Sequence, residues 1–189
     1  MILYKILPEY YFNDIMKAQH KLSILVMEDD REIASWYHHI LVSRGHKVTI
    51  TRLGEECLQI YTDRLQESFA KKPVTSNVQQ FDVVILDYKM PDRNGLEVAK
   101  EILTINPHQR IIIASAYLVK TLIDGIMELS IPIEILEKPI TNKMLIDTIE
   151  DTAIYEELRK LKINIEPFKL SHELLKKILD ILKKGIVSK

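Results

Sequence analysis

The stretch VVILDYKMPDRNG, residues 83–95, decides how this chain is read. Four apolar residues, Val83–Leu86, form a continuous run of the kind that lies buried in a sheet. The run ends on a carboxylate, Asp87, and then passes into a turn-forming PDRNG segment. An aspartate so placed is either a misfit in a core or a group held at the mouth of a cleft.

Four other apolar runs share the character of the first: LSILVM (22–27), KVTIT (47–51), RIIIAS (110–115) and IEILE (133–137), with FDVVILD (81–87) between them. Segments with helical spacing lie between the runs. Residues 31–44 place Ile33, Trp36, Tyr37, Ile40 and Leu41 on one side. Residues 95–105 do so with Leu96, Val98, Ala99, Ile102 and Leu103, and residues 117–129 with Leu118, Leu122, Ile126 and Leu129. Strand and helix alternate five times. The expected class is α/β, a doubly wound five-stranded parallel sheet with helices on both faces and extra segments at each end. In such sheets ligands bind beyond the carboxyl ends of the strands. Asp87 is therefore expected at a crevice and not inside the core.

The other strand ends carry polar groups of particular kinds. Glu28, Asp29 and Asp30 follow the first run, Ser115 ends the fourth, and Lys138–Pro139 follows the fifth. Several carboxylates brought together repel one another unless a cation joins them. Oxygen donors alone suit Mg²⁺. A carboxylate can attack phosphorus to form an aspartyl phosphate. A lysine can then supply a point charge and a serine a hydroxyl donor for the phosphoryl oxygens.

ILVMEDD (24–30), VVILDYKMPDRNG (83–95), IIIASAY (111–117) and EKPI (137–140) stand in this order, and with them the chain resembles a response-regulator receiver domain of the two-component, CheY-like type. The resemblance covers about residues 22–155 and implies the flavodoxin-like (βα)5 fold. It makes Asp87 the phosphoacceptor and Glu28 and Asp29 the acidic pair that holds Mg²⁺ together with Asp87. The backbone carbonyl of Lys89 would complete the metal site, and Asp30 stands outside it. Ser115 corresponds to the switch hydroxyl and Lys138 to the family lysine, with Lys138–Pro139 at a bond commonly cis. The implied partners are a histidine kinase or phosphotransfer protein and a downstream protein, with no separate enzymatic turnover. One departure is Ile135, three residues before the lysine, where the family often has an aromatic residue. Tyr117, two residues after Ser115, is placed to cover part of the site.

Composition sets the remaining bounds. The 189 residues carry a net charge of −1, which does not point to nucleic acid or an anionic membrane as a partner. The single cysteine, Cys57, forms no internal disulfide, and no Cys/His cluster has zinc spacing. No apolar run approaches the ~20 residues of a membrane span, and MILYKILPEYYFNDIMKAQHK does not read as a signal peptide, so a cytoplasmic protein is expected. His38 and His39 lack matching ligands and are expected on the surface or in packing; Trp36 and Tyr37 are expected in the core.

The chain divides into an N-terminal extension (1–21), a receiver domain (22–160) and a C-terminal helical extension (161–189). AKKPVTSNVQQ (70–80) reads as a surface loop after a helix over 54–69, and a fifth helix is expected from its cap Thr141 to about Leu161. Residues 161–189 hold seven lysines against two glutamates and one aspartate. Leu174, Leu175, Ile178, Leu179 and Leu182 form an apolar stripe there. Its expected cover is the receiver body or a second copy of the chain; a dimer could also form through the face made by the 117–129 helix, the fifth strand and the helix after it. DNA contact through the lysines is the lesser expectation.

Overall fold

The computed structural model describes residues 21–71, 81–116, 122, 124–125 and 133–151. Within them β1 (Ser23–Met27), β2 (Lys47–Thr51), β3 (Val83–Asp87), β4 (Ile111–Ser115) and β5 (Glu134–Glu137) form one sheet. All neighbouring strands are parallel, in the order β2-β1-β3-β4-β5. The helices are α1 (Arg31–Ser43), α2 (Gly54–Lys71), α3 (Gly95–Ile105) and α4 (Asn142–Glu150). Leu122, Asp124 and Gly125, inside the helix expected over 117–129, are helical. The helix expected over 54–69 runs on to Lys71, so the first two residues of the loop expected at 70–80 are helical; residues 72–80, Tyr117, the rest of the stretch 117–129, residues 1–20 and the 161–189 segment lie outside the described residues.

Alternate strand residues feed two apolar layers. Leu25, Met27, Val84, Leu86, Ile111 and Ile113 pack with Tyr61 of α2, Ile102 of α3 and Leu122. Ile24, Val26, Val83, Ile85 and Ile112 pack with Tyr37 and Leu41 of α1 and Leu145 and Ile149 of α4. All five residues of β3 and of β4 are buried, because a central strand is covered on both faces. Each fully buried Val or Ile side chain of these strands contributes about 1.5–3 kcal/mol.

Local chemistry sets the helix starts. Asp30 caps α1 by accepting from the Glu32 and Ile33 amides at 2.8 and 3.0 Å. Asn94 caps α3 through the Leu96 and Glu97 amides. Thr141 caps α4, as expected, by accepting from the Met144 amide.

The end of α4 differs from the sequence reading. The helix stops at Glu150, with Asp151 at φ −85° and ψ 71°, and residues 152–161 of the expected helix lie outside the described residues. Arg110 explains how the chain can leave the helix here. Its guanidinium donates to the carbonyls of Ile149, at 3.1 Å, and Thr148, so these last-turn acceptors are satisfied without a further turn. The same guanidinium pairs with Glu134, at 2.6 Å.

Candidate functional site

The strand order reverses direction between β1 and β3, and the crevice of a doubly wound sheet opens at such a point. The pairing of Met27 with Leu86 extends to set Glu28 beside Asp87, one residue beyond each. The pairing of Asp87 with Ala114 sets Ser115 next in line, and Ser115 pairs with Glu137, so Lys138 follows. Thus strand register alone brings together residues as far apart in sequence as Glu28 and Lys138.

Glu28 is 1% exposed, Asp87 8% and Ser115 3%. The Lys138 ammonium joins the two carboxylates, at 2.7 Å from Glu28 Oε2 and 3.1 Å from Asp87 Oδ2. Asp29 completes the group: one carboxylate oxygen from each of Glu28, Asp29 and Asp87 falls within 4.8 Å of the others. The Lys138–Pro139 peptide bond is cis, at the position where the resemblance placed it, and the Lys138 amide donates to the Ser115 carbonyl.

The electrostatics follow from burial and neighbours. Burial raises the Glu28 pKa above its ordinary value; Lys138 opposes this, and the Asp87 charge adds to it. Burial works to lower the Lys138 pKa, but its bond to Glu28 and the Asp87 charge prevail, and the ammonium is held more firmly than usual. Asp30 sits apart, its carboxyl held below the ordinary range by the Ile33 and Glu32 amides that it caps. This explains why the third acid of the EDD run does not join the other two.

Gly95 is dictated by close approach. A Cβ there would lie 2.4 Å from the Asp87 carbonyl oxygen, so α3 can begin directly against the strand end only with glycine. The Gly95 amide donates to the Tyr88 carbonyl and closes the loop that follows Asp87. Lys89 is exposed, and its amide lies 3.5 Å from Asp87 Oδ1.

Beside the carboxylates runs a groove of about 620 Å³ lined by Glu32, Ile33, Trp36, Ala116, Lys138, Pro139 and Ile140. Trp36 was expected in the core. It is half-buried, packed against the core layer of Tyr37 and Leu41 while lining this groove, and its indole N–H donates to Asn142 at 2.8 Å across the α1–α4 junction. Tyr37 is in the core as expected, at 1% exposure. Its hydroxyl is the one buried side-chain polar atom among the described residues without a hydrogen-bond partner. His38 and His39 are exposed on α1. Ile135 is 6% exposed and belongs to the layer that includes Leu96 and Leu122.

The family description of the response regulator receiver domain matches residues 24–150. The chain belongs to the response-regulator receiver family. Among curated relatives, this receiver is 32% identical over 129 residues to the DNA-binding transcriptional regulator NtrC of Azospirillum brasilense. That match takes in 68% of this chain and 23% of the relative. A response regulator receiver domain protein from Clostridium thermocellum is 27% identical, with a TM-score of 0.58, over 73% of this chain and 98% of that one. The CheY-like receiver protein from Methanospirillum hungatei shares the fold at 20% identity, with a TM-score of 0.58, over 74% of this chain and 99% of that one. Receiver domains are phosphoacceptor switches of two-component systems and not classical enzymes. Among the described residues no helix is long and apolar enough to cross a membrane.

The clustered donors suit a divalent cation. All three are carboxylates, two are buried, and the charge they concentrate is offset in this structure by one ammonium. Oxygen-only donors of this kind favour Mg²⁺ over softer metals.

Two contributors to the site's frame escaped the sequence reading. Arg52 donates to the Asp29 carbonyl at 2.8 Å, and Asp92 accepts from the Gly54 and Glu55 amides at 3.0 and 3.1 Å. In sequence both are ordinary turn residues, and no local pattern marks them.

Proposed function

We propose that this receiver accepts a phosphoryl group on Asp87 from a histidine kinase or phosphotransfer protein and signals through protein contacts. Glu28, Asp29, Asp87 and the Lys89 carbonyl would hold Mg²⁺, which offsets the charge on the phosphoryl oxygens when bound. An Asp87 carboxylate oxygen forms the new bond to phosphorus while the bond from phosphorus to the donor imidazole nitrogen breaks. That nitrogen keeps the electron pair. Hydrolysis of the aspartyl phosphate by water returns the carboxylate and inorganic phosphate. Lys138, already paired with Asp87, is within reach of a phosphoryl oxygen, and Ser115 at the adjoining strand end supplies a hydroxyl donor. Two pre-existing arrangements of the loops after β3 and β4 would then be populated differently. The groove lined by Ile33, Trp36 and Ile140 gives a phosphodonor an apolar foothold beside Lys138.

The observation that carries this reading is the pairing of Lys138 with both Glu28 and Asp87, with Asp29 in the same acidic cluster. Its test is the intact mass of the protein after incubation with Mg²⁺ and acetyl phosphate. Wild type should gain one phosphoryl group and Asp87→Asn none. Equal labelling of the two proteins would remove Asp87 from the mechanism.

Ile135 supports a second reading, an interaction module that keeps the fold without switching. It fills a buried site with an aliphatic side chain where the family often carries a ring. Beryllofluoride that binds with Mg²⁺ yet leaves Trp36 fluorescence and amide exchange in β4 and β5 unchanged would favour that reading. DNA binding, which the Azospirillum relative's name states of that protein, would rest here on the lysines of 161–189 and predicts steep salt dependence.

A further inference from the structure

The turn that joins β2 to α2 contributes no carboxylate to the acidic cluster, yet it touches both loops that do. On one side, the Thr51 carbonyl accepts from the Glu28 amide at 3.0 Å, and the Arg52 guanidinium donates to the Asp29 carbonyl at 2.8 Å. The Arg52 amide in turn donates to Glu56 at 2.9 Å, which fixes the turn against the first turn of α2. On the other side, Asp92 reaches across from the loop after Asp87. One of its oxygens accepts from the Gly54 amide at 3.0 Å and the other from the Glu55 amide at 3.1 Å. Arg93 spans Glu55, at 3.4 Å, and Glu101.

The backbones are close as well as bonded. A Cβ on Gly54 would lie 2.9 Å from Arg93 Cβ and 3.3 Å from the Arg93 carbonyl oxygen, so the loop rests directly on the start of α2. Residues 88–94 are also held elsewhere: the Tyr88 amide donates to Ala114, the Tyr88 carbonyl accepts from Gly95, Met90 packs against the core, and Asn94 caps α3. Asp92 is thus a cross-link near the middle of the loop, three residues beyond Lys89.

We propose that residues 52–56 form a clamp that sets the spacing between the Glu28–Asp29 loop and the 88–94 loop, with Arg52 and Asp92 as its positioning residues. The clamp rests on the phosphoacceptor reading, because the spacing it sets is that of the groups assigned to Mg²⁺. Neither residue is among the groups assigned to the cation. Arg52 aims the backbone of one ligand, and Asp92 holds the loop that carries Asp87 onward to Lys89. If the loops were not fixed in advance, the binding of a cation would have to order them, and affinity would fall accordingly.

The competing explanation is that Asp92 only caps α2 and Arg52 only braces a turn. Stability cannot separate the two, but cation affinity can. The experiment is calorimetric titration of the full chain with Mg²⁺ alone, for wild type, Arg52→Met, Asp92→Ala, Asp92→Asn and the Arg52→Met/Asp92→Ala pair. Amide exchange of Gly54 and Glu55 is followed in the metal-free proteins.

Each of Arg52→Met and Asp92→Ala should weaken Mg²⁺ binding by about five- to tenfold. The pair should lose less than the product of the two, since both act through one turn. Asp92→Asn, which keeps one of the two acceptor oxygens, should recover part of the loss. Gly54 and Glu55 should exchange faster in Asp92→Ala. If Asp92→Ala fails to fold, Arg52→Met alone decides the matter. Variants that lose stability or amide protection but bind Mg²⁺ within about twofold of wild type would overturn the clamp alone. A wild type that binds no Mg²⁺ would instead overturn the proposed function, and the clamp with it.

Discussion

Replacing Lys138 by methionine removes the charge that joins Glu28 to Asp87 while keeping an apolar stem of similar length. At 2.7 and 3.1 Å, each contact supplies about 5–6 kcal/mol of attraction at an effective dielectric constant of about 20, before desolvation is subtracted. Removing one partner of such a buried pair costs a net ~3–5 kcal/mol, because the other charge stays buried and unpaired. The metal-free variant should therefore lose about that much stability at pH 7.

Two conditions should return part of the loss. Mg²⁺ at about one hundred times its dissociation constant contributes about 2.7 kcal/mol to a protein that binds it only when folded. The variant, with no ammonium competing for the carboxylates, should bind it more tightly than wild type. Acid should also help. In wild type, burial raises the Glu28 pKa and Lys138 opposes the shift; without Lys138, burial and the Asp87 charge act together in raising it. A raised carboxyl pKa favours folding fully below the unfolded-state value, and that contribution is lost as pH rises through the folded-state value. The gap between variant and wild type should therefore narrow as pH falls from 7 toward the ordinary value of 4.5. Urea unfolding with and without EDTA, at both pH values, measures all three effects. A metal-free variant within about 1 kcal/mol of wild type at pH 7, with no gain on acidification, would refute the claim that Lys138 compensates the buried carboxylates.

Two further substitutions test the frame around the site. Gly95→Ala would press a methyl group against the Asp87 carbonyl oxygen, now 2.4 Å from the position of that atom, and should cost about 1–3 kcal/mol in thermal unfolding while slowing acetyl phosphate labelling. Arg110→Met leaves Glu134, 4% exposed, without its guanidinium and should cost about 3–5 kcal/mol in urea. Because Arg110 precedes β4, at the opposite end of the sheet from Asp87, labelling of the folded variant should be unchanged; a labelling defect would show that the two ends are coupled.

The apolar runs were enough to find all five strands, because a strand covered on both faces has little freedom in composition. Alternation with helical spacing implied a parallel doubly wound sheet, and the resemblance of four strand-end motifs to the receiver family implied which ends meet. Glu28, Asp29, Asp87, Ser115 and Lys138 were therefore legible before any coordinate, as were the cap at Thr141 and the turn at PDRNG. Other features were decided by tertiary structure. The end of α4 at Glu150 accompanies a guanidinium from the residue before β4, and helical spacing beyond it carries no trace of that arginine. Trp36 stands at the edge of the core, where it also lines a groove and donates its N–H to Asn142, more than one hundred residues away. Arg52 and Asp92 look like turn residues, and their bonds exist only once the sheet has set three loops side by side. Periodic burial leaves a repeating mark on sequence, whereas a single hydrogen bond between loops asks only for one donor and one acceptor. The sequence of this protein therefore determined its strands and the residues at their ends, and the tertiary structure determined the strand order and which turns hold those ends in register.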